Sequence, residues 1–135
     1  MGMRKRLIAG VALLAAIATV LIASPAQAGG GGCKEYSNTA FAFGACQGDN
    51  GVYVSGDAYI HRVTTPCTIN LRIWEDRLHG TSYVVAEAKY TLDHCTATYK
   101  GPLRAKMYPG FKYKTQVVAV SSAGTLNGSS PVSGI

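Results

Sequence analysis

Four cysteines, at positions 33, 46, 67 and 95, have the widest chemical options in this sequence. A thiol can ligate a metal, attack as a nucleophile or pair as a disulfide, and spacing separates these uses. No C-x-x-C pair occurs, and His61, His79 and His94 stand 18 and 15 residues apart. Zinc-type ligand spacing is missing, so neither a metal nor a cofactor is expected. An even cysteine count in a short chain reads as two disulfides. Of three possible connectivities, the sequential one, Cys33–Cys46 and Cys67–Cys95, closes short loops and agrees with the strand pattern below. Closing the 28-residue Cys67–Cys95 interval would contribute about 3–4 kcal/mol on chain-entropy grounds.

Trp74 and Arg72 share one parity on a strand-like stretch whose other face is Ile69, Leu71 and Ile73. An outward Trp beside Arg has the composition of a binding hot spot. Tyr59, with Tyr53, Tyr83 or His61, would extend it to an aromatic platform for a sugar ring or a peptide. A one-residue slip would exchange the faces and bury Trp74 instead. Lys100, Arg104, Lys106, Lys112 and Lys114 fall in one stretch without an acid. Such a run suits a polyanion such as an acidic cell-wall polymer, or simply guards a sheet edge against strand addition.

Acid–base catalysis finds little support. Asp93-His94 has no nucleophile at a recognisable spacing, and no G-x-S-x-G occurs. Glu75 and Asp76 are adjacent and read as solvated loop charges, a poor glycosidase pair. Gly29–Gly32 is not followed by a Lys and a helix, so no phosphate loop is present. Asn127-Gly128-Ser129, formally a glycosylation sequon, reads as a turn. A non-enzymatic protein is expected.

These groups need a frame. Arg4, Lys5 and Arg6 precede an apolar run from Leu7 to Ala23 and an A-x-A site at Ala26-Gln27-Ala28. That is the pattern of a helical secretory signal peptide, 1–28, and predicts a secreted, extracellular product. Removing 28 of the 135 residues leaves 107, and removing those three cations leaves ten Lys and Arg against seven Asp and Glu. The mildly basic remainder weakens a nucleic-acid reading, and no stable membrane insertion is expected after cleavage. Residues 29–35 read as a Gly-rich flexible tether, and 36–135 as one domain.

Within that domain the apolar period is two. Val52, Val54, Ala58 and Ile60 alternate with Tyr53, Ser55, Asp57, Tyr59 and His61 after an Asn50-Gly51 hairpin signal. Cys67–Trp74 and Tyr83–Leu92 continue the pattern, the latter with Val84, Ala86, Ala88, Tyr90 and Leu92 inward. Gly101-Pro102 breaks a strand that starts near Cys95 and separates off a short edge at Leu103–Met107. Phe111–Ser121 is the clearest strand, and Asn127–Val132 a weak closing one. No helical period survives. About seven short strands predict an all-β fold, a single antiparallel β-sandwich.

The segment Met107-Tyr108-Pro109-Gly110-Phe111-Lys112-Tyr113-Lys114-Thr115-Gln116-Val117-Val118-Ala119-Val120 resembles the late part of fibronectin type III domains. The resemblance implies an immunoglobulin-like sandwich, with Tyr113 as the tyrosine corner that ties the preceding turn to the sheet. It covers about a quarter of the exported chain, and the family's early core Trp is missing. The chain is also similar in style to small secreted actinobacterial proteins, with Thr115, Gly124 and Ser130 fitting their closing segment.

The leading expectation is a secreted interaction module that binds a cell-surface or extracellular polymer through Trp74, Arg72, Tyr59, Lys112 and Lys114. The alternative is a proteinaceous inhibitor of an extracellular hydrolase, with the Glu75–Gly80 loop as reactive site and Arg77 at its centre.

Overall fold

The computed structural model describes residues 31–134. The signal-peptide reading, 1–28, lies outside them. The described residues form nine strands: β1 (Gly32–Ser37), β2 (Phe41–Asp49), β3 (Tyr53–Val63), β4 (Cys67–Asp76), β5 (Ser82–Leu92), β6 (Thr98–Lys106), β7 (Lys112–Ser121), β8 (Gly124–Ser129) and the two-residue β9 (Ser133–Gly134). The first sheet has the order β1-β2-β3-β6. The second has the order β5-β4-β7-β8, with β9 paired to β7. Every pairing is antiparallel.

The two sheets pack face to face because both carry a period-two apolar stripe. Phe41, Phe43, Ala45, Ala58 and Ile60 of the first sheet form one buried cluster with Ile69, Leu71, Val117 and Ala119 of the second. A smaller cluster, Val54, Ile73, Ala105, Met107 and Tyr113, fills the other end. Burying each of the Val, Leu, Ile, Phe and Met side chains among them stabilises by about 1.5–3 kcal/mol. Gly56 lets the sheets approach, since a Cβ there would collide with the Thr115 side chain.

Several boundaries differ from the sequence reading. Gly32–Glu35, expected as tether, already belongs to β1, which pairs with β2 along its whole length. Gly101-Pro102 does not end a strand. β6 runs through it, and the register jumps from Gly56↔Leu103 to Ala58↔Lys100. An edge strand tolerates this because one row of its backbone groups has no ladder partner to lose. A further bulge lies where Ile73↔Ala86 is followed by Trp74↔Val84. It leaves Val84 39% exposed rather than inward. The Asn50-Gly51 turn forms, with Asn50 Oδ1 accepting from the amides of Val52 and Tyr53.

One expected disulfide is closed. Cys33 and Cys46 are register partners on β1 and β2, with Cα atoms 4.0 Å apart, and are bonded. The second expected bond is not closed. Cys67 is a buried thiol at the head of β4, and Cys95 an exposed one in the β5–β6 connection. Burial, together with the neighbouring Cys95, pushes the Cys67 thiol up.

Glu75 is not a solvated loop charge. It continues the inward row of β4 and is 1% exposed. Its Oε1 accepts from Arg77 Nε at 2.6 Å and its Oε2 from the Tyr113 hydroxyl at 3.0 Å. The same hydroxyl accepts from the Tyr108 amide at 2.9 Å, so Tyr113 ties the turn before β7 to β4. A second buried polar knot centres on Gln47. Its Nε2 donates to the Tyr113 carbonyl and to Ser133 Oγ, and its Oε1 accepts from Thr115 Oγ1. Satisfied partners offset the desolvation of these groups and fasten β9 to both sheets.

Candidate binding surface

The residues singled out from the sequence do not form one site. Arg72, Trp74, Lys112 and Lys114 lie on the outer face of the second sheet, and Tyr59 on the outer face of the first. On the second sheet most polar groups are already engaged. The Trp74 indole is half-buried and donates to Gln116 Oε1 at 2.8 Å, and Gln116 Nε2 donates to Asn127. Arg72 Nε donates to Glu87 at 2.7 Å. Lys114 reaches Asp76 at 3.9 Å, and Lys112 is exposed. The basic run is divided as well. Arg104 and Lys106 are on β6, Lys112 and Lys114 on β7 in the opposite sheet, and the Lys100 ammonium sits 5.1 Å from the Tyr90 ring centre at the open edge between them.

The outer face of the first sheet is built differently. Register places Glu35, Gly44, Tyr59 and Tyr99 in one row across all four strands. Gly44 presents no side chain, and a Cβ there would meet the Glu35 carboxylate. Glu35 therefore lies over β2 and bonds the His61 ring at 2.9 Å. Tyr59 and Tyr99 are 47% and 42% exposed, and their ring centres are 5.1 Å apart. A tilted pair at this distance is mutually attractive, which holds both rings in one orientation.

The next row is the Cys33–Cys46 disulfide beside Asp57. Asp57 occupies the β3 side of the bulge against β6, and its Oδ2 accepts from the Tyr99 hydroxyl at 2.9 Å. Gly101, at φ 119, makes the close approach possible. A Cβ there would sit 3.0 Å from the Asp57 Cβ and from the Gly56 carbonyl oxygen. Burial raises the Asp57 carboxyl above its ordinary range, against the lowering effect of the Tyr99 hydrogen bond. Burial and the neighbouring Asp57 carboxylate push the Tyr99 phenol up to about 12. The rise at Tyr99 keeps the proton on the phenol as a fixed donor.

The face ends at the Asn50 turn in a shallow pocket of about 260 Å³ lined by Gly48, Asp49, Asn50, Tyr53, Ser55 and Arg104. Tyr53, Ser55, Asp57, Tyr59 and His61 thus line one side of β3, while β2 offers only Ala42, Gly44, Cys46 and Gly48 beside them. The result is an aromatic and polar ridge along a low floor, about 20 Å from Tyr53 to Tyr59 at the rise of a strand. Tyr99, the partner that completes it, was not singled out from the sequence. The available signal was period two across Cys95, Ala97 and Tyr99, but pairing with Tyr59 depends on which strands become neighbours.

The Glu75–Gly80 segment is a short 3-10 turn after Asp76, with His79 at φ 70 and the Arg77 amide donating to the Thr81 carbonyl. The Arg77 guanidinium is held by Glu75 and lies 4.4 Å from the Tyr83 ring centre. Its side chain is occupied within the fold, and its extended backbone leads directly into the 3-10 turn at Leu78–Gly80.

Compared with protein-family models, with curated proteins and with solved structures, the chain matches none.

Proposed function

We propose that this chain is an exported, non-catalytic binding module that holds an extended cell-surface or extracellular polymer against the outer face of its first sheet. The observation that carries the reading is the exposed, mutually oriented Tyr59–Tyr99 pair, flanked by Asp57, Ser55 and Arg104. Rings fixed on a sheet offer flat apolar area with little ordering entropy to lose, which suits the flat faces of sugar rings. The polar groups around them supply directional bonds. Export is supported by the signal-like amino terminus and by the Cys33–Cys46 bond, since disulfides persist in oxidising compartments. On this reading Cys67 and Cys95 close a second bond in the exported protein.

The immunoglobulin-like, fibronectin III-type identity belongs to the same proposal. It is supported by the β2-β3-β6 sheet facing the β5-β4-β7-β8 sheet and by Tyr113 at the start of β7.

The test is co-sedimentation of the chain from Gly29 onward, which contains the whole described fold, with insoluble cell walls at low and high salt. Wild-type binding that survives high salt and weakens about tenfold in Tyr59→Ala and in Tyr99→Ala, but not in Trp74→Ala, is the expected result. Binding that vanishes with salt would move the site to the cationic side chains. No binding at either salt would sink the polymer reading.

A further inference from the structure

We propose that the free edge of β5 is a self-association surface, on which two copies of the chain pair antiparallel about a two-fold axis through Ala88. The described edges of the sandwich are not equivalent. β6 carries Pro102 with Lys100, Arg104 and Lys106, a combination that discourages strand addition. β1 is bonded to β2 by the disulfide and closes against β8, with the Tyr36 hydroxyl donating to the Ser129 carbonyl and the Tyr36 ring over Gly128. β8 has six residues.

β5 has eleven residues, and among the described residues it pairs only with β4. Its outer row and its end toward β4's bulge are exposed, including Tyr83, Val84 and Val85.

The charge pattern selects a second copy as the occupant. β5 contains two charged residues, Glu87 and Lys89, placed symmetrically about Ala88. Antiparallel pairing centred on Ala88 sets Glu87 opposite the partner's Lys89 and Lys89 opposite the partner's Glu87. Opposite charges on facing strands attract, and the two alanines at the centre leave the strands room to approach. Face parity is kept as well. Glu87 and Lys89 lie on the outer face of the second sheet, while Ala86 meets the partner's Tyr90 on the inner one. Shifting the centre to Glu87 or to Lys89 places like charges directly opposite each other. A one-residue shift between the strands exchanges inner and outer faces. Self-complementarity of one patch is what a two-fold interface requires. The paired stretch is short, because the bulge at Val84–Ala86 limits it on one side, so the dimer is a weak one.

The experiment is sedimentation equilibrium of the chain from Gly29 onward, up to about 1 mM. Wild type is expected to form dimers in this range. Lys89→Glu and Glu87→Lys, each alone, set like charges opposite each other twice and are expected to weaken association about tenfold. An equimolar mixture of the two variants restores both opposite-charge pairs and is expected to regain dimers, now mixed. Thermal midpoints close to wild type establish that both variants are folded. A wild type that stays monomeric throughout overturns the proposal. So do single variants that associate as tightly as wild type, and so does a mixture that remains monomeric.

Discussion

The Tyr99 hydroxyl has a consequence in titration. Its phenol is pushed up to about 12 by burial and by Asp57. A group whose pKa rises on folding contributes stability that is complete below its unfolded value and is lost as pH climbs through the folded one. Tyr99 therefore favours the fold up to about pH 10, and that contribution fades toward about pH 12. Ultraviolet difference absorbance of Tyr99→Phe should lack one of the late tyrosine ionisations of wild type, the buried Tyr113 phenol, also pushed up, remaining in both. The same substitution deletes the bond that lowers the Asp57 carboxyl, so Asp57 should titrate still higher, read by its side-chain NMR shift. An Asp57 titration unchanged by Tyr99→Phe would refute the coupling. The Tyr59 and Tyr113 rings take the sides that strand parity and the corner motif assign them. Tyr59 is 47% exposed and Tyr113 fully buried.

At the scale of elements, the disulfide does local work. It joins β1, an edge strand, to β2 across a sequence separation of 13. Chain-entropy reasoning puts the full effect of closing such a loop at about 3 kcal/mol. Replacing both Cys33 and Cys46 by Ala should therefore lower stability by up to that amount. The loss should concentrate in β1, whose amides from Lys34 to Ser37 should exchange with solvent faster relative to those of β4. Exchange accelerated equally in both strands would show that β1 is part of the cooperative core instead.

The strands themselves were readable wherever a period-two stripe ran against one buried face, as in β3, β4 and β7. β1 was not readable, because it begins on the last of four glycines and none of its six residues is buried. The irregularity at Gly56/Ala58 falls where a glycine interrupts the apolar alternation of β3, a signal present in the sequence, whereas the bulge at Ile73/Trp74 was not readable, since it depends on how β4 meets its neighbour.

For the whole molecule, the second cysteine pair tests the proposed compartment. Burial and then the neighbouring Cys95 raise the Cys67 thiol, and Cys95 Sγ lies 3.0 Å from Thr65 Oγ1. Protein recovered from an oxidising compartment should show no free thiol after denaturation. Reduction of that second bond should then cost about 3–4 kcal/mol of stability. Two titratable thiols per chain in the exported protein would refute the second bond.

The sequence alone determined what depends on neighbours along the chain: an all-β fold, its alternating strands and its main turn. It left the side of Trp74 open, because a one-residue slip exchanges the two faces of a strand. Tertiary structure decided what depends on which strands become neighbours. Pairing β3 with β6 made one surface of Tyr59, Tyr99 and Asp57. Dividing β6 and β7 between two sheets scattered the Lys100–Lys114 cations. Packing the sheets face to face buried Glu75 and Gln47, whose polarity reads as surface until their partners are in place.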